Sequence, residues 1–125
     1  MESREKTILI VEDDDDIREL IEITLEDSQY SLRTASDGEV GLNAILLQRP
    51  DLVILDWMMP RLTGIELLRK IRENPSTSGI SVIVLTSITE VKHEEEVQSL
   101  GIFSYLQKPF SPLELIQTVQ AALAG

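Results

Sequence analysis

The sequence predicts a doubly wound α/β domain built on a five-stranded parallel sheet. Three observations predict it. Five short β-rich segments alternate with five helical patterns along 125 residues, an alternation that favours parallel strands joined by right-handed helical crossovers. Thr7–Val11, Leu52–Leu55 and Ser81–Leu85 are nearly unbroken Ile/Leu/Val runs, the pattern of strands covered on both faces. Tyr30–Ala35 mixes apolar and polar residues and Phe103–Leu106 is interrupted by Ser104, so both read as edge strands. Three central and two edge strands fit the order 2-1-3-4-5.

The helices follow from spacings of three and four. Ile17, Leu20, Ile21 and Leu25 form the first stripe, and Val40, Ala44 and Leu47 the second. Leu67, Leu68 and Ile71 form the third, and Ile116, Val119 and Leu123 the last. The fourth pattern, Glu90–Leu100, is the weakest, clearly apolar only at Val97 and Leu100. Ser36-x-x-Glu39, Thr63-x-x-Glu66 and Ser111-x-x-Glu114 each fit a capping box, in which hydroxyl and carboxylate satisfy backbone N–H groups reciprocally. Pro112 takes the first position of the last helix, where its missing N–H costs nothing. Asn74–Gly79 is a loop by composition.

Composition narrows the class. At this length the chain is expected to be one domain, residues 1–125. Zero cysteines exclude disulfides, thiolate zinc sites and cysteine nucleophiles. The longest purely apolar runs, such as Ile8–Val11 and Leu52–Leu55, are far too short for a bilayer-spanning helix. The opening MESREK is charged and shows no signal-peptide pattern. With 11 basic against 22 acidic residues the formal charge is −11, and aromatic residues make up 4%. Such a surface repels phosphate backbones and offers few stacking platforms, which argues against direct nucleic-acid binding. The expectation is a cytoplasmic domain with neither membrane nor nucleic acid as a direct partner.

In a doubly wound sheet, ligands bind beyond the carboxyl ends of the strands. There the first strand leads to Glu12 and Asp13, the third to Asp56, the fourth to Thr86 and the fifth to Lys108. Only the fold can bring residues so distant in sequence together. Three carboxylates at one rim repel each other and call for a cation. Oxygen donors without cysteine or a suitably placed histidine suit Mg²⁺ or Mn²⁺. The Thr86 hydroxyl and the Lys108 ammonium would meet phosphoryl oxygens, and one carboxylate would be either a nucleophile or simply a ligand.

This arrangement resembles the receiver domain of bacterial two-component response regulators, a flavodoxin-like fold, over essentially the whole chain. The matching pieces are ILIVEDD (8–14), PDLVILDWMMPRLTGIELL (50–68), VIVLTS (82–87) and YLQKPF (105–110), highly specific in this order and at these separations. The resemblance implies that Asp56 is the phosphoacceptor. Glu12, Asp13 and the backbone carbonyl of Met58 would join Asp56 around the metal. Thr86 would be the switch hydroxyl that follows the phosphoryl group, Tyr105 the aromatic that changes rotamer with it, and Lys108 the counter-charge. A cis peptide before Pro109 is also implied. The donor would be a sensor histidine kinase or phosphotransfer protein. The surface of the fourth helix, fifth strand and fifth helix would control an output protein or fused effector domain, with a phosphorylation-dependent homodimer as a further association. The chain would be a switch rather than an enzyme, limited to self-phosphorylation from small donors and slow self-dephosphorylation.

Simpler roles suit the neighbouring residues. Asp14–Asp16 read as capping and solvated acids, Glu94–Glu96 as a solvated face, and His93 as a half-buried stripe residue. Trp57 and Met58 read as packing and loop-shaping residues. Two alternatives to the switch are a phosphoaspartate-forming phosphatase of haloacid-dehalogenase type and a non-phosphorylated receiver-like interaction module. The phosphatase needs a second acid two residues after its nucleophile, where this chain has Met58. The module is at odds with the intact set of Asp56, Thr86 and Lys108. A flavin phosphate would be repelled by the acids after the first strand. Two departures from the family pattern stand out. Ser87 follows the switch hydroxyl where Ala or Gly is frequent, and Gly101-Ile-Phe-Ser-Tyr105 replaces Gly-Ala-x-Asp-Tyr, so that Ile102 and Phe103 would enlarge an apolar output patch, unless one of them is simply core.

Overall fold

Every apolar run identified above becomes a parallel strand in the computed structural model, which describes residues 5–26, 29–87 and 98–124. The elements in chain order are β1 (Thr7–Val11), α1 (Asp15–Glu26), β2 (Ser31–Ala35), α2 (Gly38–Leu47), β3 (Leu52–Asp56), α3 (Gly64–Glu73), β4 (Ser81–Thr86), β5 (Ser104–Gln107) and α4 (Pro112–Leu123). The sheet order is β2-β1-β3-β4-β5, with all four pairings parallel. Four of the five expected helices lie among the described residues. The segment 88–97, which holds most of the fourth helical pattern together with Ile88, His93, Glu94–Glu96 and Val97, lies outside them.

Strand alternation divides the core into two halves. Leu9, Val11, Val53, Leu55, Val82 and Val84 face Ile45 of α2 and Leu67, Leu68 and Ile71 of α3. Ile8, Ile10, Leu52, Ile54, Ile83 and Leu85 face Ile21 and Leu25 of α1 and Leu115 and Val119 of α4. Burying an aliphatic side chain of this size contributes about 1.5–3 kcal/mol, so the two-sided β1, β3 and β4 dominate the hydrophobic stabilisation. No helix among the described residues is long and apolar enough to cross a membrane.

Two helix expectations need correction. Of the α2 stripe only Ala44 packs on the core: Val40 is 45% and Leu47 86% exposed, while Gly41 and Ile45 are buried. The reason is a close approach. A Cβ on Gly41 would stand 3.0 Å from both Val11 methyl carbons, so the helix docks through Gly41 with Leu42 and Ile45 beside it and turns Val40 and Leu47 outward. The capping box at Ser36 is also absent, because Asp37 is the N-cap and its Oδ1 accepts from the Val40 amide at 2.9 Å. A carboxylate one position closer to the helix takes the role of the hydroxyl. The boxes at Thr63/Glu66 and Ser111/Glu114 form as expected, and Pro112 sits in the first turn of α4. The last turn of α2 carries no basic residue of its own, and Arg33 of β2 supplies one, donating to Gln48 O at 2.7 Å and Ala44 O at 3.4 Å.

At the pole formed by the strand N-termini, Arg72 in the last turn of α3 ties three segments together. Its guanidinium donates to Leu100 O (2.7 Å), Gly101 O (2.9 Å), Ser78 O (2.8 Å) and Ile80 O (2.7 Å). Arg72→Ala strands these carbonyls, and urea unfolding is expected to show a loss of about 2–4 kcal/mol. Arg72→Lys recovers only part of it, because an ammonium lacks the planar fork. A loss for Arg72→Ala no larger than that of an exposed substitution would contradict the clamp.

Candidate functional site

The opposite pole gathers the polar residues. The Glu12 amide donates to Ala35 O at 3.1 Å, continuing the β1–β2 ladder one step and carrying Glu12 into a fully buried position. Asp56 ends β3 and is 3% exposed. The Trp57 amide bonds Leu85 O at 3.0 Å, and the Met58 amide reaches Asp56 Oδ1 at 3.4 Å. A Cβ on Gly64 would lie 2.6 Å from Asp56 O and 2.8 Å from Trp57 Cα, so only glycine lets α3 begin this close to the end of β3. Beyond β5 the Lys108 amide bonds Thr86 O at 2.7 Å, and the Lys108–Pro109 peptide is cis, as the resemblance implied.

The side chains converge from there. Lys108 Nζ lies 3.1 Å from Asp56 Oδ1 and 3.0 Å from Glu12 Oε1. Carboxylate oxygens of Glu12, Asp13 and Asp56 all fall within 4.8 Å of one another, the first and last buried and Asp13 exposed. Two buried acids share one cation, and the electrostatics follow. Burial first, then the hydrogen bond and charge of Glu12, push Asp56 from the ordinary 3.8 up to about 8, against the opposing pull of Lys108. Burial alone would lower Lys108, but Asp56 and Glu12 outweigh it and hold the ammonium above its usual range. Glu12 Oε1 is buried and accepts no directed hydrogen bond, leaving a negative atom for which Lys108 supplies charge without aligned geometry. An all-oxygen donor set with an excess of negative charge and an orphaned carboxylate oxygen fits a small hard divalent cation such as Mg²⁺ or Mn²⁺.

Thr86 and Tyr105 lie on the other face of the sheet. Alternation aligns Asp56 with Leu52 and Ile54, toward α1 and α4, and Thr86 with Val82 and Val84, toward α2 and α3. Tyr105 pairs in register with Val84 and packs against the same half of the core, which makes it a diagonal neighbour of Thr86. The Thr86 hydroxyl, half-buried at the rim, donates to Ser87 O at 3.2 Å. Of the two residues after Asp56, Trp57 is core and Met58 is 62% exposed. Ile102 packs on the core while Phe103 is 47% exposed, so only one of the two enlarges the apolar surface. Asp14 caps α1 as expected, its Oδ1 accepting from the Asp16 and Ile17 amides at 2.9 and 3.1 Å. Sequence reasoning missed Arg18, which reaches back to the Glu12 carbonyl at 2.9 Å. Its signal was a lone base following a run of five acids at helical spacing.

Comparison with known proteins agrees with this geometry. Residues 8–120 match the response regulator receiver domain family. The chain is 39% identical over 118 residues to the phosphate regulon transcriptional regulatory protein PhoB of Pseudomonas aeruginosa, covering 94% of this chain and 52% of that protein. It is 38% identical over 118 residues to the alkaline phosphatase synthesis transcriptional regulatory protein PhoP of Bacillus subtilis, covering 94% and 48%. The chain thus spans about half the length of these relatives. Among solved structures, the chemotaxis protein CheY4 of Vibrio cholerae superposes with a TM-score of 0.88 at 32% identity, covering 96% of this chain and 100% of that one. With the sheet order, the acidic rim and these likenesses in agreement, the chain belongs to the response regulator receiver domain family and is a phosphorylation-activated signalling switch.

Proposed function

We propose that Asp56 is the phosphoacceptor of this switch, within a single receiver unit spanning residues 1–125. The observation that carries it is Lys108 Nζ held 3.1 Å from Asp56 Oδ1 at the carboxyl end of the sheet. Glu12, Asp13, Asp56 and the Met58 backbone carbonyl would hold Mg²⁺, with Mn²⁺ as a substitute. When bound, the cation neutralises the carboxylates and the phosphoryl oxygens that meet there. An Asp56 carboxylate oxygen attacks phosphorus, and the bond to the donor nitrogen of a phosphohistidine breaks. The imidazole keeps the electron pair and takes up a proton. Positioning and charge neutralisation supply most of the catalysis, and Lys108 contributes by turning from the two carboxylates toward the transferred group.

The product adds about −1.5 to −2 charge at a packed rim. Thr86 turns its hydroxyl toward the new oxygens, and Tyr105 beside it takes up the vacated space, reshaping the surface of β5, α4 and the segment before β5. This is a local charge event biasing a two-state surface. A sensor histidine kinase or phosphotransfer protein supplies the phosphoryl group, small acyl phosphates substitute for it in vitro, and an output protein or fused effector domain reads the surface. A cytoplasmic location suits such a donor.

With acetyl phosphate and Mg²⁺, intact-mass measurement is expected to show one added phosphoryl group, absent when the divalent ion is chelated. Metal-independent labelling would contradict the reading. Self-dephosphorylation is expected to be slow, with a half-life of minutes or longer, because the exposed Met58 thioether cannot orient an attacking water. A half-life of seconds would contradict that assignment.

A further inference from the structure

We infer that Arg18 is a positioning residue for the metal-binding acids, acting through the peptide between Glu12 and Asp13. Arg18 is the first base after the acids at positions 12–16, and its side chain is 19% exposed. One Nη1 hydrogen goes to the Glu12 carbonyl at 2.9 Å, and Nη2 pairs with the Asp15 carboxylate. The Arg18 amide meanwhile bonds Asp14 O at 2.9 Å. The guanidinium therefore closes a ring from the end of β1, through the acidic loop, to the first turn of α1.

The need for such a device lies in Asp13. Its carboxylate is exposed, and among the described residues nothing hydrogen-bonds or pairs with it. Glu12, by contrast, is buried, contacts Lys108 and accepts from the Asp14 amide at 3.2 Å. Among the described residues Asp13 is placed by its backbone alone, and the plane of the Glu12–Asp13 peptide sets where its side chain departs. Arg18 fixes that plane through the carbonyl oxygen. The other arm of the same guanidinium pairs with the Asp15 carboxylate, which anchors the fork to the first turn of α1.

The inference rests on Glu12, Asp13 and Asp56 holding the divalent ion, and the sign of one measurement separates it from plain electrostatics. Removing a positive charge beside an acidic site should by Coulomb's law tighten cation binding. Removing a positioning group should weaken it, typically by about 10-fold or more for residues that support metal ligands. The chain's single tryptophan, Trp57, follows Asp56 directly, and its fluorescence is the readout of Mg²⁺ binding. Arg18→Gln is expected to raise the Mg²⁺ dissociation constant about 10-fold, with the difference persisting at high salt. Arg18→Lys is expected to fall between, since an ammonium cannot hold the carbonyl and Asp15 with one fork. Unchanged or tighter binding in Arg18→Gln overturns the inference. Should that variant not fold, wild-type affinity in Arg18→Lys overturns it equally. A wild-type chain whose fluorescence and thermal midpoint ignore Mg²⁺ overturns instead the metal site on which the inference stands.

Discussion

Asp56→Asn is expected to abolish acid-labile phosphate incorporation from acetyl phosphate while making the metal-free fold more stable. The two effects share a cause. Asp56 and Glu12 are buried beside a single ammonium, at 3.1 and 3.0 Å from Lys108 Nζ, so the site carries one negative charge too many for its surroundings. Asparagine keeps the shape and removes the excess, leaving Glu12 paired with Lys108. A gain of about 1–3 kcal/mol is expected in urea unfolding without metal, the scale on which uncompensated buried charge acts. Chemistry is lost outright, because an amide oxygen is too weak a nucleophile to accept a phosphoryl group. Loss of labelling with unchanged or reduced stability would mean that the acids repel less than the geometry demands.

Metal-free stability is expected to fall as pH rises, and Mg²⁺ to cancel the fall. Asp56 is pushed from 3.8 up to about 8 by burial and by Glu12. An acid whose folded-state pKa is raised holds its proton in the native state where the unfolded chain has released it. Its contribution is fully present below about pH 4 and is progressively lost as pH rises through about 8. Each tenfold change in proton affinity corresponds to about 1.4 kcal/mol, and with Lys108 and partial hydration moderating the cost, a decline of about 2–4 kcal/mol between about pH 5 and 8 is expected. Divalent cation favours the ionised carboxylate and should flatten the profile, as should Asp56→Asn. Unfolding curves across this range, with and without Mg²⁺, check it. A metal-free profile that is flat or rises with pH would show that Asp56 ionises freely.

The sheet was legible because its strands declare themselves. Runs such as Leu52–Leu55 are apolar at every position, and burial on both faces is the arrangement that tolerates this. The rim was legible for a related reason: once the strands are placed, Glu12, Asp13, Asp56, Thr86 and Lys108 must follow their carboxyl ends. The face of α2 was not, because side-chain size points to Val40 and Leu47 whereas docking is decided by the absence of a side chain at Gly41. Ser36 and Asp37 are adjacent capping residues, and which one serves depends on where the first turn begins. Contacts between segments left no local pattern. Arg72 meets Leu100 across 28 positions and Lys108 meets Asp56 across 52. That Lys108 would grip both buried acids, and that burial and Glu12 would still raise Asp56 against its pull, depends on distances that spacing alone does not contain.

Chemical trapping of the acceptor is the most direct test of the phosphoaspartate switch. Reduction of the phosphorylated chain with borohydride converts a carboxyl phosphate into an alcohol that peptide mass mapping can locate. The reduced residue is expected at position 56 alone, only when phosphorylation was carried out with Mg²⁺, and in much lower yield when Lys108 is replaced by methionine. Trapping at Asp13, Glu12 or any other carboxylate, or labelling on a hydroxyl that borohydride leaves untouched, would contradict it.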